Sequence, residues 1–156
     1  MTKLQPHPTR FELKAIFGLL LAAVLAGAFA VASSAGNNGS LRSVELHVTK
    51  ECSQYVGHAG EFCTITSSNL NAIDPGMRVV YTSAAGATSL NSDLVLDGPG
   101  NNDASGHVTL NFLTLSGVVT LSGGTGRFSG FHAVVTVTYD AGVWHWDGTY
   151  SFVPPR

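Results

Sequence analysis

The stretch Ser116–Tyr139, SGVVTLSGGTGRFSGFHAVVTVTY, decides how this chain folds. Two runs of β-branched and apolar residues, Val118–Leu121 and Phe131–Tyr139, flank a glycine-dense segment from Ser122 to Gly130. Val and Thr are restricted at χ1 and suit a pleated strand, whereas glycine reaches positive φ without a steric penalty. The stretch therefore reads as strand, tight glycine loop, strand. The loop lacks the Lys-Ser/Thr pair of a phosphate-binding loop, and no helix follows it. Its glycines are read as a structural turn, with Phe128 covering one end of the fold.

Working outward, similar runs recur at Ser43–Lys50, Glu61–Ser67, Met77–Ser83, Leu90–Asp97, His107–Thr114 and Val143–Phe152. Turn chemistry separates most of them: Asp74-Pro75-Gly76, Ala84-Ala85-Gly86, the segment Asp97–Asp103 and Asp140-Ala141-Gly142. Pro154-Pro155 ends the last run, where no ladder donor can follow. Beyond the N-terminal segment no stretch keeps a 3.6-residue apolar period for three turns, so no long helix is expected there. Eight short strands at this spacing predict an all-β fold, an eight-stranded antiparallel β-barrel in preference to a sandwich. Closure removes the exposed edges that a Val/Thr-rich sheet would otherwise present.

The first 35 residues differ from the remainder. Lys3, Arg10 and Lys14 precede the uncharged run Ala15–Val31, AIFGLLLAAVLAGAFAV, and small residues follow it. A basic start, an apolar stretch and a small-residue exit predict a secretory signal. As a helix the run would span about 25 Å, short of a hydrocarbon core of about 30 Å, so a retained membrane anchor is the second reading. Residues 36–42 read as a linker and 43–156 as one barrel domain, placed outside the cytoplasm, either secreted or anchored.

From Gly36 onward five basic residues face nine acidic ones, a net charge of −4. No basic patch interleaved with aromatics remains, which argues against nucleic acid and against an anionic membrane surface as partners. Both cysteines, Cys52 and Cys63, lie in this exported part, and an even count there predicts a disulfide. Closing a loop of this length stabilises a fold by roughly 3 kcal/mol on the chain-entropy model. The spacing fits no metal or redox motif, and His58, His107 and His132 are too scattered to suggest a metal site. No cofactor is expected.

Gly106-His107-Val108-Thr109-Leu110, followed by Thr120–Phe131 with its wording GGTGRF, resembles the allene oxide cyclase barrel family and the related dirigent proteins. The chain looks most like small exported bacterial members of that superfamily. The resemblance implies the eight-stranded barrel, leaves a homo-oligomer open, and directs attention to the first strand. In plant allene oxide cyclases that strand carries a Glu and, two residues on, an Asn, both facing the pocket. Here Val44-Glu45-Leu46-His47-Val48 places Glu45 at the Glu position and His47 at the Asn position. Alternation puts Glu45 and His47 on one face and Val44, Leu46 and Val48 on the other. If the polar pair faces the lumen, Glu45 would stabilise positive charge developing on an opening epoxide, and His47 would hold the oxygen. If the apolar trio faces the lumen, the pair is solvated.

Three functions follow as expectations. The first is binding of a small apolar ligand in the lumen, lined by Tyr81, Phe112, Tyr139 and Trp144. The second is a cofactor-free cyclase or isomerase using Glu45 and His47. The third is an interaction domain with a filled barrel. In Val143-Trp144-His145-Trp146-Asp147 the tryptophans share one face, read chiefly as core packing, and His145 with Asp147 reads as a surface pair. Asp93 and Asp97 share a strand face about 13 Å apart, too far for paired glycosidase carboxylates.

Overall fold

The computed structural model describes residues 43–153, which form a closed antiparallel barrel with strands in chain order around it. The strands are β1 (Val44–Glu51), β2 (Phe62–Ser68), β3 (Arg78–Tyr81), β4 (Ser89–Gly98), β5 (Asn102–Asn111), β6 (Ser116–Gly124), β7 (Phe131–Asp140) and β8 (Val143–Phe152). A single 3₁₀ turn, Gly126–Phe128, precedes β7. The barrel closes where β8 pairs with β1, from Val44 opposite Tyr150 to Lys50 opposite Trp144. The expected signal or anchor (1–35), the linker (36–42) and Pro154-Pro155 lie outside the described residues. No helix among the described residues is long and apolar enough to cross a membrane.

Two boundaries differ from expectation. The strand expected over His107–Thr114 runs from Asn102 to Asn111, and the one expected over Val118–Leu121 runs from Ser116 to Gly124. Asn102, Asp103 and Ser105 resemble turn residues, but a tight turn at Pro99–Asn101 lets β4 and β5 pair from Gly98↔Asn102 onward. Within Asn102–Ser105 only Ala104 is buried, so this polar segment can continue the strand without placing another of its side chains fully in the core. Tertiary pairing has overridden local propensity.

Alternation fills the interior. Leu46, Val48, Ile65, Val79, Leu94, Leu96, Val108, Val119, Leu121, Val135 and Trp146 are all buried, with their strand neighbours largely turned outward. The buried Ser92 meets its hydrogen-bonding needs locally, donating to the Asp93 carbonyl and accepting from the Ser83 amide. Eight strands enclose an interior that side chains suffice to fill.

The glycine-rich segment closes one end of this barrel. At Gly124 a Cβ would press on the Asp103 carbonyl oxygen and, at 2.7 Å, on Phe128 Cβ, so only glycine lets β6 approach β5 so closely. Gly126 has φ +55°, which turns the chain inward and delivers Phe128 to the core. The Phe128 ring meets Phe131 edge-on at 5.4 Å. Arg127 pairs with Asp74 of the β2–β3 connection at 2.6 Å, and its amide donates to Asn102 Oδ1. The loop is thus a plug, as its sequence implied.

Replacing Phe128 by Ala should lower stability by about 3–5 kcal/mol, the usual effect of deleting a buried ring. Urea unfolding followed by far-UV circular dichroism measures this. A loss below about 1 kcal/mol would show that the ring does not seal this end.

Candidate functional site

The opposite end is built from the β1–β2, β3–β4, β5–β6 and β7–β8 connections, and here the interior holds a charge-bearing side chain. Lys50 continues the inward series of Leu46 and Val48 on β1 and is only 3% exposed. Its Nζ donates to the Tyr81 hydroxyl at 2.8 Å. The rings of Tyr81 and Trp144 lie 5.5 Å from it, and that of Trp146 lies 5.6 Å away. The Cys52–Cys63 disulfide joins the β1–β2 connection to β2 beside this cage, with Cys52 Sγ 3.6 Å from Nζ.

No carboxylate pairs with Lys50 among the described residues. Burial therefore acts on the ammonium uncompensated by an opposite charge and lowers its pKa to about 7. Ring faces and one phenol oxygen favour the cation only partly. Burial also pushes the Tyr81 hydroxyl well above its ordinary value, so it stays protonated. Tyr55, whose ring lies 4.9 Å from that of Tyr81, is pushed up for the same reason. The Tyr55 hydroxyl and Trp146 Nε1 are buried without a hydrogen-bond partner.

Around the cage the rim exposes several apolar side chains. Val56 is 75% and Leu113 79% exposed, and Leu115 and Tyr139 also reach solvent. Side chains hold these loops in place. Glu61 accepts from the amides of Val56 and His58, both at 2.8 Å, which lowers its pKa. Asn111 Oδ1 accepts from the amides of Leu113 and Thr114. Tyr139 packs on Trp144 with ring centroids 4.8 Å apart, linking the rim to the cage. A recess of about 490 Å³ opens here, lined by Tyr55, Val56, His58, Ala85 and Phe112 among others.

Of the residues expected to line a lumen pocket, Tyr81 faces inward and holds Lys50. Phe112, Tyr139 and Trp144 gather at the mouth instead, because they stand at strand ends where the barrel opens. Two further recesses, of about 400 and 350 Å³, lie on the outer wall beside Asp93 and His107 and near the plugged end beside Asp74 and Asp97. All three open to the outside rather than into the filled interior.

Glu45 and His47 face outward, with side chains 84% and 56% exposed, so the condition for a lumen role is not met. The reason is parity: Leu46, Val48 and Lys50 take the inner face of β1. His47 Nδ1 donates to the Asp147 carboxylate across the β1–β8 ladder at 2.8 Å, with Glu45 3.6 Å away, and chiefly that hydrogen bond raises its pKa. Asp147 thus partners His47 and not His145. Asp93 and Asp97 also face outward, pairing with His107 and Arg78.

Sequence reasoning missed Lys50, which reads as a charged terminator of the first strand. The signal was present: two residues beyond Val48, it belongs to the apolar face. It is also the chain's only lysine after Lys14. Comparison of the chain with protein-family models, with curated proteins and with solved structures returned no match.

Because the folded pKa of Lys50 lies below its unfolded value near 10.4, the unfolded state binds more protons between the two, and stability rises with pH there. The expected slope is up to about 1.4 kcal/mol per pH unit from pH about 7 to 9.5. Above that, ionisation of Tyr81 and Tyr55 in the unfolded state acts in the opposite direction. Lys50→Met should remove this slope in urea unfolding across the range; an unchanged slope would contradict an uncompensated buried amine.

Proposed function

We propose that this protein is an exported barrel of the allene oxide cyclase type that binds a small apolar molecule at its Lys50 end. The observation that carries this reading is the exposed apolar rim of Val56, Leu113, Leu115 and Tyr139 beside a 490 Å³ recess. A recess of this size, here lined by polar and apolar surface in similar measure, falls within the range of small-molecule sites. Because the inward positions of the strands carry buried side chains, this reading places the ligand at the mouth rather than in the lumen. Export is supported by the basic-then-apolar N-terminus and by the Cys52–Cys63 disulfide. The family reading rests on the wording from Gly106 to Phe131 together with the eight-stranded closure. A cyclase would need polar groups other than Glu45 and His47, which lie outside.

Trp144 and Trp146 are the chain's two tryptophans, so intrinsic fluorescence reports on this site. A terpenoid alcohol such as geraniol should change that emission saturably, with micromolar affinity. Val56→Asp combined with Leu113→Asp should weaken binding about tenfold or more, equivalent to about 1.4 kcal/mol, with the fold unaltered. Equal affinity in the double variant, or no saturable response in the native chain, would overturn the reading.

A further inference from the structure

A lysine side chain is ordinarily a surface group, almost never fully buried unless paired. Here the barrel's one lysine stands inside an aromatic cage, with no carboxylate paired to it among the described residues, at the barrel end whose loops expose Val56, Leu113 and Leu115. A purely structural role does not explain this choice, since methionine would fill the same volume without desolvating a charge. We infer that Lys50 is a covalent capture point: its amine condenses with an apolar aldehyde or ketone admitted at this mouth, forming an imine. This rests on the mouth being the ligand site and names the chemical class of the ligand.

The chemistry is complete with the groups present. The lone pair of Nζ attacks the carbonyl carbon, and a proton passes from nitrogen to the former carbonyl oxygen, giving a carbinolamine. The second nitrogen proton is lost as the carbon–oxygen bond breaks and water departs. The balance is amine plus carbonyl giving imine plus water, with no oxidant or reductant. A desolvated lysine supplies the neutral amine that this attack needs near neutral pH.

The surroundings suit each stage. Tyr81, hydrogen-bonded to Nζ, positions the amine. The Tyr55 hydroxyl and Trp146 Nε1, both lacking partners, border the same cage and are donors of the kind a carbonyl oxygen requires. Of the three cage rings, Trp144 alone is part-exposed, and it touches the exposed Tyr139. The recess itself is lined by Tyr55, which packs on Tyr81, and not by the cage residues, so Tyr55 must turn aside to admit a carbonyl from the recess to Nζ. The titratable groups facing Nζ are Tyr81 from β3 and, one ring further, Tyr55 from the β1–β2 connection. The disulfide does not titrate, and β8 contributes only indole rings.

The test treats the full chain with citral, a terpenoid aldehyde, and sodium cyanoborohydride, then maps the modified peptides by mass spectrometry. Mapping separates Lys50 from Lys3, Lys14 and the N-terminal amine. The expected result is one adduct at Lys50, absent in Lys50→Met and Lys50→Arg and suppressed by saturating geraniol. Its rate should be half-maximal near pH 7, whereas an ordinary lysine would titrate near 10.4. A label confined to Lys3, Lys14 or the N-terminus, or a Lys50 label that titrates as an ordinary lysine, overturns the inference. If geraniol and citral both bind saturably and Lys50 stays unlabelled, the mouth site stands and the imine falls. If neither binds, both fall together.

Discussion

A strand has two faces, and in a closed barrel one of them never meets water. That constraint governs the whole molecule. Each inward position must be apolar, very small or locally satisfied, and each outward position is free to be polar. Leu46, Val48, Leu94, Leu96, Val135 and Trp146 meet the first condition. Ser92 meets it by satisfying its hydroxyl within its own strand and the neighbouring loop. Outward positions instead carry cross-strand pairs such as His47–Asp147, His107–Asp93 and Arg78–Asp97. These pairs are solvated, so they contribute to register more than to stability.

The two ends solve the problem of closure differently. At the glycine-rich end, a chain able to pass within contact distance of Asp103 delivers Phe128 into the interior, where Phe131, Ile73 and Met77 are also buried. Arg127 and Thr125 then tie this plug to the loops beside it. At the opposite end the connections carry their apolar side chains outward, and aromatic rings stand between solvent and the interior. The Cys52–Cys63 disulfide holds the longest of those connections against the barrel wall. One end is sealed for stability, and the other is dressed for contact.

Lys50 is where the inner-face rule is broken. Its amine occupies a position that the pattern of the strand reserves for an apolar group, and its nearest polar partner among the described residues is a phenol. Such a group exists as a compromise between desolvation, which favours the neutral amine, and ring faces, which favour the cation. An exception of this kind, sited under an exposed apolar rim, marks the place where the fold gives up stability for something else.

The sequence by itself determined the class of fold. Period-two alternation, β-branched runs and the turn chemistry between them suffice for an antiparallel barrel, and the composition of Ser122–Gly130 suffices for a structural turn closed by Phe128. An even count of two cysteines suffices to predict their pairing. Tertiary structure decided everything that depends on which face points inward. Alternation sorts Glu45 and His47 from Leu46 and Val48 but is symmetric with respect to inside and outside. Only closure, with eight strands competing for one filled interior, breaks that symmetry. The same step carried Lys50 inward, brought Tyr81 and Trp144 to it from distant parts of the chain, and continued β5 through residues that locally resemble a turn. Local chemistry names the candidates for each face; the shared interior assigns them.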